Sequence, residues 1–320
     1  MLSRFRSRAE QLVTIKDLAD GKVDIVIGTH RLLSKDIAFK DLGLIIIDEE
    51  QRFGVKAKEK LKHLRLLADV LTLTATPIPR TLHMALTGTK DMSIISTPPL
   101  NRIPVETKII EFDEDIIKEA IERELKRKGQ VFFLHNRVED IEQVAKIIQK
   151  LLLPKEARIA LAHGQMPPKI LEEIMLKFLK QEIDVLVCTT IIESGIDIPN
   201  ANTLIVNQAH RFGLADLHQL RGRVGRFTQQ AYAYFIVHSK TALSSEAKAR
   251  IEALEKYCGL GAGFQIAFED MQIRGAGNLL GEEQHGYIAA IDFDLYCRLL
   301  KESIEHLKQE LESKQNASLN

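Results

Sequence analysis

Short runs in which apolar residues follow one another without alternation recur along the chain: VDIVIGT (23–29), LGLIIIDE (42–49), DVLTLTAT (69–76), QVFFLHN (130–136), ARIALAHG (157–164), DVLVCTT (184–190), TLIVNQA (203–209) and AYAYFIV (231–237). Continuous β-branched runs of this length predict strands buried on both faces, as in a parallel sheet. Between them the period changes. In 139–152, Ile141, Val144, Ala145 and Ile148 fall at i, i+3, i+4 and i+7, and Ile116, Ile117, Ala120 and Ile121 keep the same helical stripe. Strands alternating with amphipathic helices predict an α/β fold with helices on both sheet faces.

The pattern breaks twice. STPPLNRIP (96–104) is rich in proline and polar residues, and no helix runs through Pro98 and Pro99, so an interdomain linker is expected there. Strand signals stop near residue 243. Beyond it lie a helical stretch, the glycine-rich segments GLGAGF (259–264) and RGAGNLLGEEQHGY (274–287), and an amphipathic pattern on Leu295, Leu299, Leu300, Ile304 and Leu307 before the polar tail SKQNASLN. The expected domains are 1–98, 99–243 and a small accessory domain at 244–320, its tail frayed.

Composition narrows the classes. Among 320 residues, 45% are hydrophobic and 28% charged, with 44 acidic against 44 basic residues, which excludes a disordered chain and a generally cationic surface. Any DNA contact must therefore be local. Cys188, Cys258 and Cys297 form no CxxC pair, arguing against a disulfide framework or a zinc site and for a reducing cytosol. No apolar run reaches the roughly 20 residues that span a bilayer, and the basic start MLSRFRSRAE leads into no apolar signal core, so a soluble intracellular protein without membrane partners is expected.

Two constellations carry candidate chemistry. The run III(45–47) stops on Asp48, Glu49 and Glu50. Ligands of parallel α/β sheets bind where strands end, and a carboxylate there suits Mg²⁺ bridging nucleotide phosphates, with the next one activating water. Asp48 is the candidate metal ligand and Glu49 the base, although a strand ending in a solvated acidic turn has the same spelling. In HQLRGRVGRF (218–227), Gln219, Arg223 and Arg226 share a helix-compatible spacing. Guanidinium forks suit the charge of a transferring γ-phosphoryl group. A solvated basic helix is the alternative, but two glycines interrupt it.

DEEQ (48–51), TATPIPRTL (74–82), HGQM (163–166), TTIIESGIDIP (189–199) and QLRGRVGR (219–226) occur in order and resemble motifs II, III, IVa, V and VI of superfamily 2 helicases. Their wording is similar to the bacterial transcription-repair coupling factors, double-stranded DNA translocases, from SRFRS at the start to about residue 312. The fork-regression helicases share IPRTL and the LHQLRGRVGR spelling, while the second glutamate of DEEQ, Gln165 and LGAGF favour the coupling factors. Gln51 departs from the histidine usual there. An amide still bridges between motifs, so tuned coupling rather than lost hydrolysis is expected.

The resemblance implies tandem RecA-like domains that split ATP and Mg²⁺ between them, followed by a helical-hairpin translocation motif. Asp48 and Glu49 take the metal and the water, Gln51 couples them to motif III, and Thr74 and Thr76 link nucleotide state to closure. Gly195 and Asp197 line the nucleotide cleft; Arg223 and Arg226, assisted by Gln219, reach the γ-phosphate. Thr29, His30, Arg31, His163, Gly164, Thr189 and Thr190 are implied DNA contacts, and Arg274 and Gln284 implied levers of the translocation motif. Double-stranded DNA is the implied substrate track. RNA polymerase and the excision-repair damage-recognition protein would be met through regions outside these 320 residues. No G-x-x-x-x-G-K-[ST] loop occurs in the chain, so the first domain is expected to be truncated at its amino end and the isolated chain to hydrolyse ATP poorly. A fork-regression helicase fragment and a catalytically inactive DNA-binding or regulatory module are the alternatives.

Overall fold

The computed structural model describes residues 1–2, 6–50, 53–64, 66, 68–75, 91–95, 97–98, 102–153, 157–193, 198–225, 229–239, 241 and 243–274, without the side chains of residues 192, 193 and 274. The chain divides into two compact units, Met1–Ala75 and Thr76–Asn320.

In the first unit, helix α1 (Arg8–Asp20) opens on a capping box in which Ser7 and Glu10 satisfy each other's backbone amides, and it ends at Gly21 with φ +72°. Strand β1 (Leu44–Asp48) pairs in parallel with β2 (Asp69–Leu73), Asp48 opposite Leu73. Helix α2 (Val55–Leu64) lies between them in sequence. Ile47 is buried, whereas Leu44, Ile46, Leu71 and Leu73 are exposed, so this ribbon is not buried on both faces as its apolar run predicts. VDIVIGT also departs from expectation. It forms no strand; only an isolated bridge joins Gly28 to Leu2, and Ile25 and Ile27 are exposed. β-propensity yields a strand only where a neighbour completes the ladder, and among the described residues Leu2 alone does so.

The second unit carries a six-stranded parallel sheet in the order β3-β8-β7-β4-β6-β5. Its strands are β3 (Glu106–Glu111), β4 (Gln130–Leu134), β5 (Ile159–Ala162), β6 (Val185–Cys188), β7 (Ala201–Val206) and β8 (Tyr232–Val237). The apolar runs behave as expected here, with β4, β6 and β7 buried at every position. Alternate residues feed two cores. Val131, Phe133, Val187 and Ile205 pack with helices α3 (Glu114–Lys126) and α4 (Ile141–Leu151). On the opposite face, Phe132, Leu186, Leu204 and Phe235 pack with α5 (Pro168–Leu179), α6 (Leu214–Arg221), α7 (Ser245–Lys256) and α8 (Gly263–Arg274). Each large apolar side chain so buried contributes about 1.5–3 kcal/mol. The helical stripes are as predicted, with Ile117, Ile121, Ile141 and Ile148 buried.

Edge strand β3 was invisible to the hydrophobic pattern because ETKIIE keeps charged residues exposed, which also protects an unpaired edge. Helices α7 and α8 form a hairpin, closed by Tyr257 Oη donating to Glu269 Oε1 at 2.8 Å. Among the described residues no helix is long and apolar enough to cross a membrane. The amphipathic pattern from Leu295 to Leu307 lies outside the described residues.

Candidate functional site

In the first unit the acidic cluster sits where β1 ends. Asp48 is exposed at the last strand position. Glu49 then takes φ +51°, a left-handed conformation that costs a non-glycine residue about 1 kcal/mol. What holds it there is visible. Its N–H donates to Leu73 O at 2.9 Å, and its carboxylate accepts from Thr74 Oγ1 at 2.9 Å and from the Ala75 N–H at 3.3 Å. Glu50 accepts from Thr72 Oγ1 at 3.5 Å. The backbone turn thus aims Glu49 across the end of β2, joining DEEQ to TAT through a direct bond. Among the described residues no group of three or more His, Cys, Asp or Glu could hold a metal ion. A single exposed carboxylate fits an ion whose other ligands are waters and phosphates, the usual Mg²⁺ arrangement.

The implied DNA contacts of this unit surround a short turn, His30–Leu33. Thr29 donates its N–H to Leu2 O at 3.3 Å, and the His30 ring packs on Phe53 with centroids 4.6 Å apart. Arg31 is committed elsewhere. Its fork meets both Asp36 oxygens at 2.7 and 2.6 Å, and its Nε donates to Gln11 Oε1 at 3.0 Å. The guanidinium holds the Asp36 carboxyl down at about 2. A phosphate at Arg31 would have to compete with this fork.

In the second unit the implied contacts gather at the carboxyl end of the sheet. Thr189 is nearly buried and donates its N–H to Ala162 O at 3.2 Å, Thr190 donates Oγ1 to Asn136 Oδ1 at 3.5 Å, and His163 follows β5. Gly164 is exposed, with open space where a Cβ would stand, so a ligand could approach its backbone. Gln51, Thr76, Gly195, Asp197, Arg226 and Gln284 lie outside the described residues. Arg274 is the last residue of α8, and its side chain is likewise outside them.

Of the three residues expected to share a helical spacing, Gln219 lies on α6 and Arg223 lies beyond its end, while Arg226 is outside the described residues. Helix α6 ends at Arg221, Gly222 caps it, and Arg223 lies in the following turn. Gly225 has φ +72°, and a Cβ there would come within 2.8 Å of Val105 Cγ2, so the chain leaves the helix for a conformation that glycine alone takes cheaply.

The sequence reading passed over Arg221. It is buried, donating Nη1 to Leu254 O at 3.1 Å and Nη2 to Tyr257 O at 2.7 Å and His218 Nδ1 at 2.8 Å. Burial pushes the Arg221 guanidinium down to about 10. Burial, and then the adjacent Arg221, pushes His218 down to about 4, which keeps its Nδ1 an acceptor. Arg221 therefore latches the QLRGR helix to the end of α7. The signal was available: Leu214, Leu217 and Arg221 stand at i, i+3 and i+7, so the arginine shares the buried stripe.

Residues 2–85 match the DEAD/DEAH box helicase family, and residues 113–228 match the helicase conserved C-terminal domain. The two matches and the parallel α/β units that carry them are those of a superfamily 2 helicase motor region built of RecA-like domains. It is 59% identical over 308 residues to the transcription-repair-coupling factor of Bacillus subtilis (strain 168), covering 96% of this chain and 26% of that protein. The transcription-repair-coupling factor of Staphylococcus aureus (strain NCTC 8325 / PS 47) is 55% identical over 304 residues, covering 95% of this chain and 26% of the relative. The chain thus spans about a quarter of the length of the curated relatives it matches. Among solved structures, RecG bound to a three-way DNA junction is similar at TM-score 0.68 and 34% identity, covering 94% of this chain and 39% of that one. The Mycobacterium smegmatis helicase Lhr bound to single-stranded DNA and AMP-PNP shares the fold at TM-score 0.58 and 16% identity, covering 80% of this chain and 36% of its own.

Proposed function

We propose that the chain is the ATP-driven, double-stranded DNA translocase motor of a transcription-repair-coupling factor. The observation that carries this reading is 59% identity sustained over 96% of the chain, not confined to the motifs all helicases share. In this reading Asp48 holds Mg²⁺ through water, and Glu49 orients and deprotonates the attacking water. Glu49 is held by Thr74 and Ala75, and that contact would pass a change at the nucleotide into the segment that follows β2. Arg223, with Arg226 and Gln219, supplies positive charge to the γ-phosphoryl group; an arginine so used is worth roughly 10³ to 10⁵ in rate. Gly195 and Asp197 complete the nucleotide contacts. Phosphate contacts from Thr29, His30, Arg31, His163, Gly164, Thr189 and Thr190 let a chain of zero net charge track a duplex. Arg274, at the end of α8, and Gln284, later in the sequence, transmit closure to the DNA. The accessory hairpin acts as a separate lever following domains at 1–98 and 99–243.

The lysine of a G-x-x-x-x-G-K-[ST] loop, which would cradle the β- and γ-phosphates, has no counterpart in the sequence, so the isolated chain turns over ATP slowly. The whole protein would displace a stalled RNA polymerase and recruit the excision-repair machinery from a reducing cytoplasm. RecG's 34% identity favours one further reading, a motor that rewinds forked DNA. Replacing the matched segment of the Bacillus subtilis relative with this chain separates the two. Release of a stalled RNA polymerase is the expected result; fork rewinding without release would favour the second.

A further inference from the structure

His135 is the first residue past β4, at the carboxyl end of the second sheet, and its side chain is buried. Its backbone N–H donates to Cys188 O at 2.8 Å, which keeps β4 paired with β6 to the last residue. The ring makes two side-chain bonds, Nε2 to Asp140 Oδ1 at 2.7 Å and Nδ1 to Asn207 Nδ2 at 3.1 Å. An amide nitrogen only donates, so Nδ1 is the acceptor and Nε2 carries the proton given to the carboxylate. One neutral tautomer is thereby selected.

Asp140 supplies a second, independent observation. It stands immediately before α4, where an aspartate ordinarily accepts from the helix's first amides. Here its side chain caps nothing. The carboxylate is turned to His135 and, at 3.6 Å, to Arg137. The hydrogen bond from His135, more than the nearby Arg137, holds the Asp140 carboxyl below its usual range. Between these anchors Asn136 is exposed and accepts from Thr190. Asn207, on the other arm, starts the connection toward α6, its N–H donating to Leu134 O at 2.9 Å.

We infer that His135 is a positioning residue for DNA engagement. The Asp140–His135–Asn207 relay forgoes a helix cap to fix the segment after β4, so that Asn136 keeps the Thr190 side chain in place until its hydroxyl exchanges the bond to Asn136 Oδ1 for one donated to a DNA phosphate. This rests on the DNA-binding reading above. Asn207, the first residue past β7, contributes a fixed donor to Nδ1, and Asp140 the charge bonded to Nε2.

The test uses the full 320-residue chain. A two-bond ¹H–¹⁵N correlation spectrum should show His135 as the neutral Nε2–H tautomer; an Nδ1–H tautomer overturns the relay. Duplex binding is then measured against salt for the parent, His135→Phe, Asp140→Ala and Asp140→Asn. Loss of one hydroxyl–phosphate contact should weaken binding about tenfold at low salt; a neutral hydroxyl releases no counterion, so the slope of log K against log salt should stay near the parent's. His135→Phe and Asp140→Ala should both show this, and Asp140→Asn, which still accepts from Nε2, should restore the parent's affinity. Asp140→Ala gives the answer should His135→Phe fail to fold. A lowered melting temperature with unchanged affinity means a purely structural histidine and overturns the inference. A parent chain that binds duplex without salt dependence, or not at all, instead overturns the DNA-binding reading on which it stands.

Discussion

Arg221 offers a quantity that can be worked from the structure. Its fall to about 10 corresponds to roughly 3 kcal/mol of burial cost for the charged guanidinium. Against this stand three hydrogen bonds, to Leu254 O, Tyr257 O and His218 Nδ1. Each is worth about 1.5–3 kcal/mol when the donor is charged. The bonds win by about 1.5 kcal/mol at the lower bound. Arg221→Met, which fills the space without donors, should therefore destabilise the second unit by about 1.5 kcal/mol, lowering its melting temperature by roughly 3–6 °C for a domain of this size. Thermal unfolding followed by circular dichroism reads the total. Amide hydrogen exchange reads the location, with protection lost first in α7 and α8 while β4 and β7 stay protected. An unchanged melting temperature, or exchange rising uniformly through the sheet, would refute the latch.

Further outcomes follow from neighbouring groups. His218 has its pKa depressed to about 4. The unfolded chain therefore takes up this proton first, and the stability present above about pH 6.5 is lost progressively as pH falls toward 4, by up to about 3 kcal/mol. His218→Gln should flatten that part of a urea-midpoint profile against pH. Glu124 is fully buried against Arg127 and Thr203 Oγ1. Glu124→Ala leaves the Thr203 hydroxyl without its acceptor and Arg127, which is partly exposed and still donates to Gln230 O, without its ion pair; it should cost about 1–3 kcal/mol, read as a lower denaturant midpoint. Gly225→Ala meets both a positive φ and Val105, so a loss of more than about 1 kcal/mol is expected, where a neutral result would mean the turn relaxes freely.

Much of this architecture was legible in the residues themselves. Runs such as QVFFL and DVLVC fill strands with neighbours on both sides, where every position is buried and an unbroken apolar spelling is what the environment selects. The same spelling misled at VDIVIGT, because a run states a preference and not the presence of a partner to pair with. ETKIIE erred in the other direction, since an edge strand tolerates exposed charges. At the site, strand ends located the carboxylates, but the bond from Thr74 to Glu49 depends on a left-handed turn no pattern announces. Gly222 and Gly225 were read as interruptions within a helix; they mark its end, which sets Arg223 on a turn and leaves Arg221 in the core. Arg221 could be placed inside from its stripe with Leu214 and Leu217, whereas His135, one position past β4, is indistinguishable in sequence from surface chemistry until its partners are known.

The motor reading is tested most directly by translocation itself. The Bacillus subtilis coupling factor, with its matched segment replaced by this chain, should displace a triplex-forming oligonucleotide from duplex DNA in the presence of ATP and Mg²⁺. Glu49→Gln or Arg223→Ala should abolish displacement while leaving duplex binding intact. A chimera that folds, binds duplex and hydrolyses ATP without moving the third strand, or one indifferent to both substitutions, would contradict it.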